Sequence, residues 1–385
     1  MEHLINEQVK NIQISGIRNF FNLVSGMEDI VSLTIGQPDF FTPEHVKAAG
    51  IEAIANNYTT YTHNAGFPEL RKAAAKYVHS KYGLTYAPES EVIVTVGASQ
   101  AIDITLRTLL SPGDEVILPG PVYPGYEPII HMCQAKTRMV DTRQNGFKLT
   151  ADLISGALTD NTKAIILPYP SNPTGISLTK SELKAIAELV KGKDVFIIAD
   201  EIYSELTFDA PHVSIASFLR EQTIVLNGLS KSHAMTGWRI GFLFAPENLA
   251  KHILKVHQYN VSCASSVAQM AALEAVSTGK NDALFMREEY KKRRDYVFNR
   301  LVNIGLDVVK PDGAFYFFVA IPTWIKKSSF DFCYQLAMDQ KVAVVPGSAF
   351  SEFGEGYFRL SFACSMEELE KGIDRIEAFL QQTKN

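Results

Sequence analysis

The chain has 385 residues, 46% of them hydrophobic and 21% charged, with a net charge of −5. That is the composition of a globular protein with a large core, long enough for two domains or one large domain with an appendage. Acids and bases are interspersed, so a nucleic-acid partner, which needs a basic face, is not expected. No apolar run reaches membrane-spanning length, so no membrane partner is expected either.

The first residues, Met1-Glu2-His3-Leu4-Ile5, lack the basic and apolar regions of a signal peptide. Cys133, Cys263, Cys333 and Cys364 are far apart and form no Cys-x-x-Cys pair. This argues against a disulfide framework or a zinc site and for a reducing, cytoplasmic setting. Apolar runs at 91–96, 115–118, 163–167, 195–199, 223–226 and 238–244 read as buried strands. Amphipathic segments lie between them. One is 180–190, with Leu183, Ile186, Ala187 and Val190 on one face and Thr179 and Glu182 forming a capping box. The alternation predicts an α/β fold, with a mostly parallel central sheet flanked by helices and ligands bound beyond the carboxyl ends of the strands.

After about residue 280 the pattern changes. A long charged helix is expected over 281–304, short strands at 306–310 and 314–320, a helix over 330–338 and a strand at 357–361. The last helix, 366–381, carries Leu369, Ile373, Ile376 and Leu380 at helical spacing, with Ser365 and Glu368 capping it. The expected division is a large α/β domain over 45–280 and a smaller α+β domain over 281–385, joined by the N-terminal arm 1–44.

Chemistry-bearing residues fall at the ends of these elements. Lys231 and Arg239 lie in Ser230-Lys-Ser-His-Ala-Met-Thr-Gly-Trp-Arg-Ile-Gly241, just after an apolar strand. A lysine there can form a Schiff base with an aldehyde cofactor whose phosphate the arginine grips. Asp200 ends the run Val195-Phe-Ile-Ile-Ala199, where a carboxylate is costly unless paired. Facing a pyridinium nitrogen, it would keep that nitrogen protonated; Tyr203 and Asn172, the latter in Pro170-Ser-Asn-Pro-Thr-Gly175, can bond the phenolic oxygen of the same ring. Val96-Gly-Ala98-Ser99-Gln opens a helix, and its small residues and free N–H groups make a phosphate cradle. Tyr123, in a Pro- and Gly-rich turn, can stack on a ring, and Tyr61, in a polar loop, is a candidate phosphate ligand. Arg359, in the alternating strand Tyr357-Phe-Arg-Leu-Ser361, suits a carboxylate, and Gly36 can offer its backbone to the same group. Singly, each has a plain structural reading: Asp200 as a helix cap, Asn172 as a turn residue, Tyr123 as a core aromatic, Arg359 as a solvated strand charge. Together they make a pyridoxal 5'-phosphate site.

Taken as a set, these motifs resemble the class I aminotransferases of pyridoxal-phosphate fold type I, over nearly the whole chain and in the family's order. The resemblance implies that Lys231 bonds the cofactor and then moves the proton, Asp200 pairs with the ring nitrogen, and Asn172 and Tyr203 bond its phenolic oxygen. Tyr123 would stack on the ring. Ala98, Ser99, Ser230 and Arg239 would hold the phosphate, and Arg359 and Gly36 the substrate α-carboxylate. It also implies a homodimer with shared active sites, Tyr61 reaching the neighbouring subunit's phosphate, and amino acid and 2-oxo acid substrates with glutamate as donor. At a finer level the chain is similar to the Bacillus-type aminotransferase A group, linked to N-acetyl-L,L-diaminopimelate in lysine synthesis. Two alternatives are a C–S β-lyase of the same fold and an effector-sensing domain without catalysis. The second would need an N-terminal DNA-binding domain, for which the motifs starting at Gly36 leave no room.

Overall fold

The computed structural model describes residues 1–24 and 26–384. Seven strands form the central sheet: β1 (Val92–Thr95), β2 (Glu115–Gly120), β3 (Lys136–Asp141), β4 (Thr162–Leu167), β5 (Phe196–Asp200), β6 (Thr223–Gly228) and β7 (Gly241–Phe244). Their spatial order is β1-β7-β6-β5-β4-β2-β3. All neighbours are parallel except β7, which runs antiparallel to both β1 and β6. Alternate residues of a strand enter opposite cores, as the period of two requires. Ile197 and Ala199 join Leu183 and Ile186 on one face, while Ile198 joins Ile104 and Ile253 on the other.

Five of the expected strands appear within two residues of their predicted ends. The sixth, expected at 238–244, begins only at Gly241. Arg239 takes φ +53°, so the chain turns before the strand starts. The edge strand β3 was not expected, because its Lys136 and Arg138 are exposed and the segment contains no continuous apolar run. The helix Lys180–Val190 carries the predicted Thr179–Glu182 capping box.

A second, three-stranded antiparallel sheet comprises β8 (Tyr316–Ala320), β9 (Val345–Pro346) and β10 (Tyr357–Ser361), with β10 in the middle. The strand expected at 306–310 is reduced to one bridge, Val308 to Val319. Helices Ala283–Asn303, Ser329–Gln340 and Met366–Lys384 accompany this sheet. The N-terminal segment packs here as well. Phe20 and Val24 are buried with Leu336, Leu360 and Ile373, and Val31–Ser32 pairs in parallel with Val342–Ala343. Asp29 bridges Lys371 at 2.8 Å and Arg375 at 2.7 Å.

Candidate active site

A cavity of about 800 Å³ opens beyond the carboxyl ends of β1, β2, β4, β5 and β6. Each strand ends where its backbone leaves the ladder, and the next few residues project into this space. Gly36, Ala98, Ser99, Tyr123, Asn172, Asp200, Tyr203, Ser230, Lys231, Arg239 and Arg359 all line it. Tyr61 does not; it is 88% exposed elsewhere on the surface.

Lys231 sits on the single-turn helix Leu229–Ser232, directly after β6. The turn is held from below by His233, whose ring bonds Ser232 Oγ at 2.8 Å and the Gly279 carbonyl at 2.9 Å. Lys231 Nζ donates to the Gly36 carbonyl at 2.6 Å. Burial, then the nearby Arg359 and Arg239 guanidinium groups, hold its pKa down to about 8. Opposite charge from Asp200 only partly offsets this.

Asp200 lies buried at the end of β5. Its carboxylate accepts from Tyr126 Oη at 2.7 Å and from the Ile202 amide at 3.2 Å. Burial pushes its carboxyl upward against the pull of those two bonds. A buried carboxylate that is held in place yet makes no ion pair among the described residues is suited to a cationic ring nitrogen.

Arg359, 2% exposed, is on the central strand of the small sheet, so the solvated strand charge is excluded. Its guanidinium donates to Asn172 Oδ1 at 2.9 Å and to the Thr34 carbonyl at 2.7 Å, above the Tyr316 ring at 4.3 Å. Its Nε is buried without a partner among the described residues. The Asn172 amide nitrogen is also without a partner among them and remains free to donate into the cavity. Tyr203 Oη lies 2.9 Å from Tyr316 Oη, and Tyr123 packs edge-on to Tyr126 with centroids 5.6 Å apart.

The anion cradle depends on two glycines. Gly97, at φ +75°, starts the helix Gly97–Leu109, and a Cβ there would lie 2.7 Å from Arg239 Nη2. A Cβ on Gly241 would lie 2.8 Å from the Ala98 nitrogen. The missing Cβ atoms thus let the Arg239 guanidinium approach the free N–H groups of Ala98 and Ser99, a phosphate-sized group of donors. With Asp200 and Lys231 in the same cavity, the residues fit pyridoxal phosphate.

Tyr126, Tyr316 and Thr34 were not anticipated as site residues. Tyr316 sits in an aromatic run that reads as core, Tyr126 ends the Pro- and Gly-rich turn that carries Tyr123, and Thr34 acts through its carbonyl. Arg18 and Phe21 also line the cavity, from the helix Gly16–Val24.

The aminotransferase class I and II family model matches residues 28–376. A Bacillus subtilis protein described as probable N-acetyl-LL-diaminopimelate aminotransferase is 65% identical over 99% of this chain and 96% of its own. An aspartate aminotransferase of Pyrococcus abyssi is 40% identical, covering 99% of each chain. Among solved structures, the Thermus thermophilus aspartate aminotransferase with maleate superposes with a TM-score of 0.93 at 35% identity, over 97% of this chain and 99% of that one. The chain belongs to the class I and II aminotransferases and is an enzyme of fold type I that works with pyridoxal phosphate.

Proposed function

We propose that this enzyme moves the amino group of N-acetyl-L,L-diaminopimelate and of L-glutamate to and from their 2-oxo acids, in the cytoplasm. The observation that carries the substrate is the 65% identity, over nearly the full length, with the Bacillus protein described by that activity. Glutamate as the second substrate follows from the resemblance to the family.

When bound, pyridoxal phosphate supplies an aldehyde to capture the amine and a protonated ring that draws electrons away from the substrate Cα. The residues supply the rest. Arg239, with the N–H groups and hydroxyl at Ala98 and Ser99 and with Ser230, grips the phosphate. Asp200, oriented by Tyr126 and the Ile202 amide, keeps the ring nitrogen charged. Tyr203 and the free Asn172 amide nitrogen bond the phenolic oxygen, and Tyr123 covers the ring. Arg359 binds the α-carboxylate through its unpartnered Nε and by exchanging its present acceptors, beside the Gly36 backbone. Lys231, with its amine near pH 8, takes the proton from the substrate Cα and holds it for return.

The enzyme acts as a homodimer in this reading, with Tyr61 reaching the phosphate in the other subunit. Its 88% exposure on one chain supports such a use. The substrate is tested by incubating the cofactor-loaded enzyme with N-acetyl-L,L-diaminopimelate and 2-oxoglutarate. Glutamate should form with a kcat/KM well above that for L-aspartate or L-phenylalanine as donor. A preference for either of those would refute the substrate.

A further inference from the structure

The side-chain oxygen of Gln100 accepts from the Val96 amide at 2.7 Å, four residues back along the chain. That bond closes the turn that opens the helix Gly97–Leu109 and presents the Ala98 and Ser99 N–H groups to the cavity. Thr95 Oγ1 donates to the Gly97 carbonyl at 3.1 Å and holds the same turn from its other side. Gln100 is buried and is not among the cavity-lining residues, so its orientation is set from elsewhere.

It is set by another helix, Glu247–Val261. Gln100 Nε2 donates to His257 Nδ1 and to Asn260 Oδ1, both at 3.1 Å. An amide nitrogen only donates, so His257 Nδ1 accepts and Nε2 carries the ring proton. Nε2 in turn donates to the Asn64 carbonyl at 2.9 Å. The next carbonyl, that of Ala65, accepts from the Val94 amide of β1 at 2.9 Å, which anchors the ring on the edge of the central sheet. His257 is 0% exposed, and burial pushes its pKa down against the pull of the Asn64 bond, so the ring stays neutral.

Ala101, Ile104 and Ile253, on the same two helices, belong to the apolar core. A polar pair in such a place is costly unless its donors and acceptors are met. Here they are met in one arrangement only. Reversing the Gln100 amide would set two donors together at Val96. It would also force the imidazole proton onto Nδ1 and leave two acceptors facing each other at Asn64.

We infer that His257 is a positioning residue for the cofactor phosphate: it fixes the Gln100 amide, and through it the turn whose N–H groups grip that phosphate. This role rests on the pyridoxal-phosphate reading of the cavity and extends it to a residue outside the cavity wall. Backbone N–H groups cannot be re-aimed by a side-chain rotation, so the turn must be set before the anion arrives.

The test measures dissociation constants of pyridoxal 5'-phosphate and of pyridoxal, which lacks the phosphate, by equilibrium dialysis against the cofactor-free full-length protein and its variants. H257A should bind pyridoxal phosphate about 10-fold more weakly, the scale of one buried hydrogen bond. Pyridoxal should bind it as it binds the unsubstituted protein. H257N places its side-chain oxygen where Nδ1 stands and should hold pyridoxal phosphate nearly as well as the unsubstituted protein. H257Q reaches toward Asn64 and not toward Gln100, and should fall with H257A. Q100L should lose at least as much as H257A, and the double variant Q100L/H257A no more than Q100L alone. Unchanged affinity in H257A, an equal loss with both ligands, or H257Q binding as tightly as H257N would overturn the inference and leave the cofactor reading standing. An unsubstituted protein that binds pyridoxal as tightly as pyridoxal phosphate would overturn the phosphate cradle itself, and the inference with it.

Discussion

Lys231 is the residue on which the chemistry turns, and its charge state is set by its neighbours. An amine attacks only in its neutral form. With a pKa near 8, about half of it is neutral at pH 8, against well under 1% for a solvated lysine. Because the shift is downward, the reactive fraction rises with pH through 8 and is complete well before an ordinary lysine begins to titrate. In the cofactor-free protein, dinitrophenylation of Lys231 by fluorodinitrobenzene, followed by peptide mass spectrometry, should rise with a midpoint near pH 8 and level off above pH 9. Replacing Arg239 with Gln should move that midpoint upward, since one of the cations that depress it is gone. A rate still climbing at pH 10 would contradict the electrostatic account. Much of this site was legible at the residue level, because Lys231, Asp200 and Asn172 place polar groups at or just after the ends of apolar runs, and Arg359 sets a charge among the apolar residues of a strand. The partners that aim them were not. Tyr126 and Tyr316 act through single hydroxyls on rings that pack like any core aromatic, and the Thr34 carbonyl carries no side-chain signature.

At the scale of elements, legibility followed burial. Strands covered on both faces, such as β4, β5 and β6, are continuous apolar runs and were readable to within two residues. The edge strand β3 and the two-residue strands Val31–Ser32 and Val342–Ala343 were not, since hydrogen bonding and not composition makes them strands. The late start of β7 shows function overriding local preference. The apolar residues Trp238 and Ile240 would continue the strand, but the positive φ at Arg239 turns its guanidinium toward the first turn of Gly97–Leu109. Trp238 is itself held outside the strand, donating to Thr42 Oγ1 at 3.1 Å and covering Gly50, where a Cβ would meet the indole at 2.6 Å. The helix Gly16–Val24 was not among the expected elements.

At the scale of the whole molecule, one chain supplies every proposed cofactor contact except Tyr61. Ile51, Ile54, Tyr58, Tyr61 and Tyr259 are all exposed. The loop bearing Tyr61 is tied to the turn after Tyr259 through Asn64 to the Ser262 carbonyl at 2.9 Å and Ser266 to the Tyr58 carbonyl at 2.7 Å. Exposed apolar groups gathered around one loop suit an interface with a second copy. In a shared-site dimer, mixing Tyr61→Ala chains with Lys231→Ala chains rebuilds one intact site per mixed pair, with Lys231 from one and Tyr61 from the other. The mixture, exchanged and reassembled, should exceed the activity of the Tyr61→Ala protein alone. A mixture that never exceeds it would place Tyr61 outside the site. The central claim is that this cavity, with Lys231 at its centre, carries an amino group from one acid to another, and the half-reaction tests it most directly. L-glutamate is added, without any oxo acid, to the purified cofactor-loaded protein while its visible spectrum is recorded. The account predicts loss of the yellow lysine-linked band, growth of the amine-form band in the near ultraviolet, and release of one 2-oxoglutarate per chain; an unchanged yellow band with no 2-oxoglutarate released would contradict it.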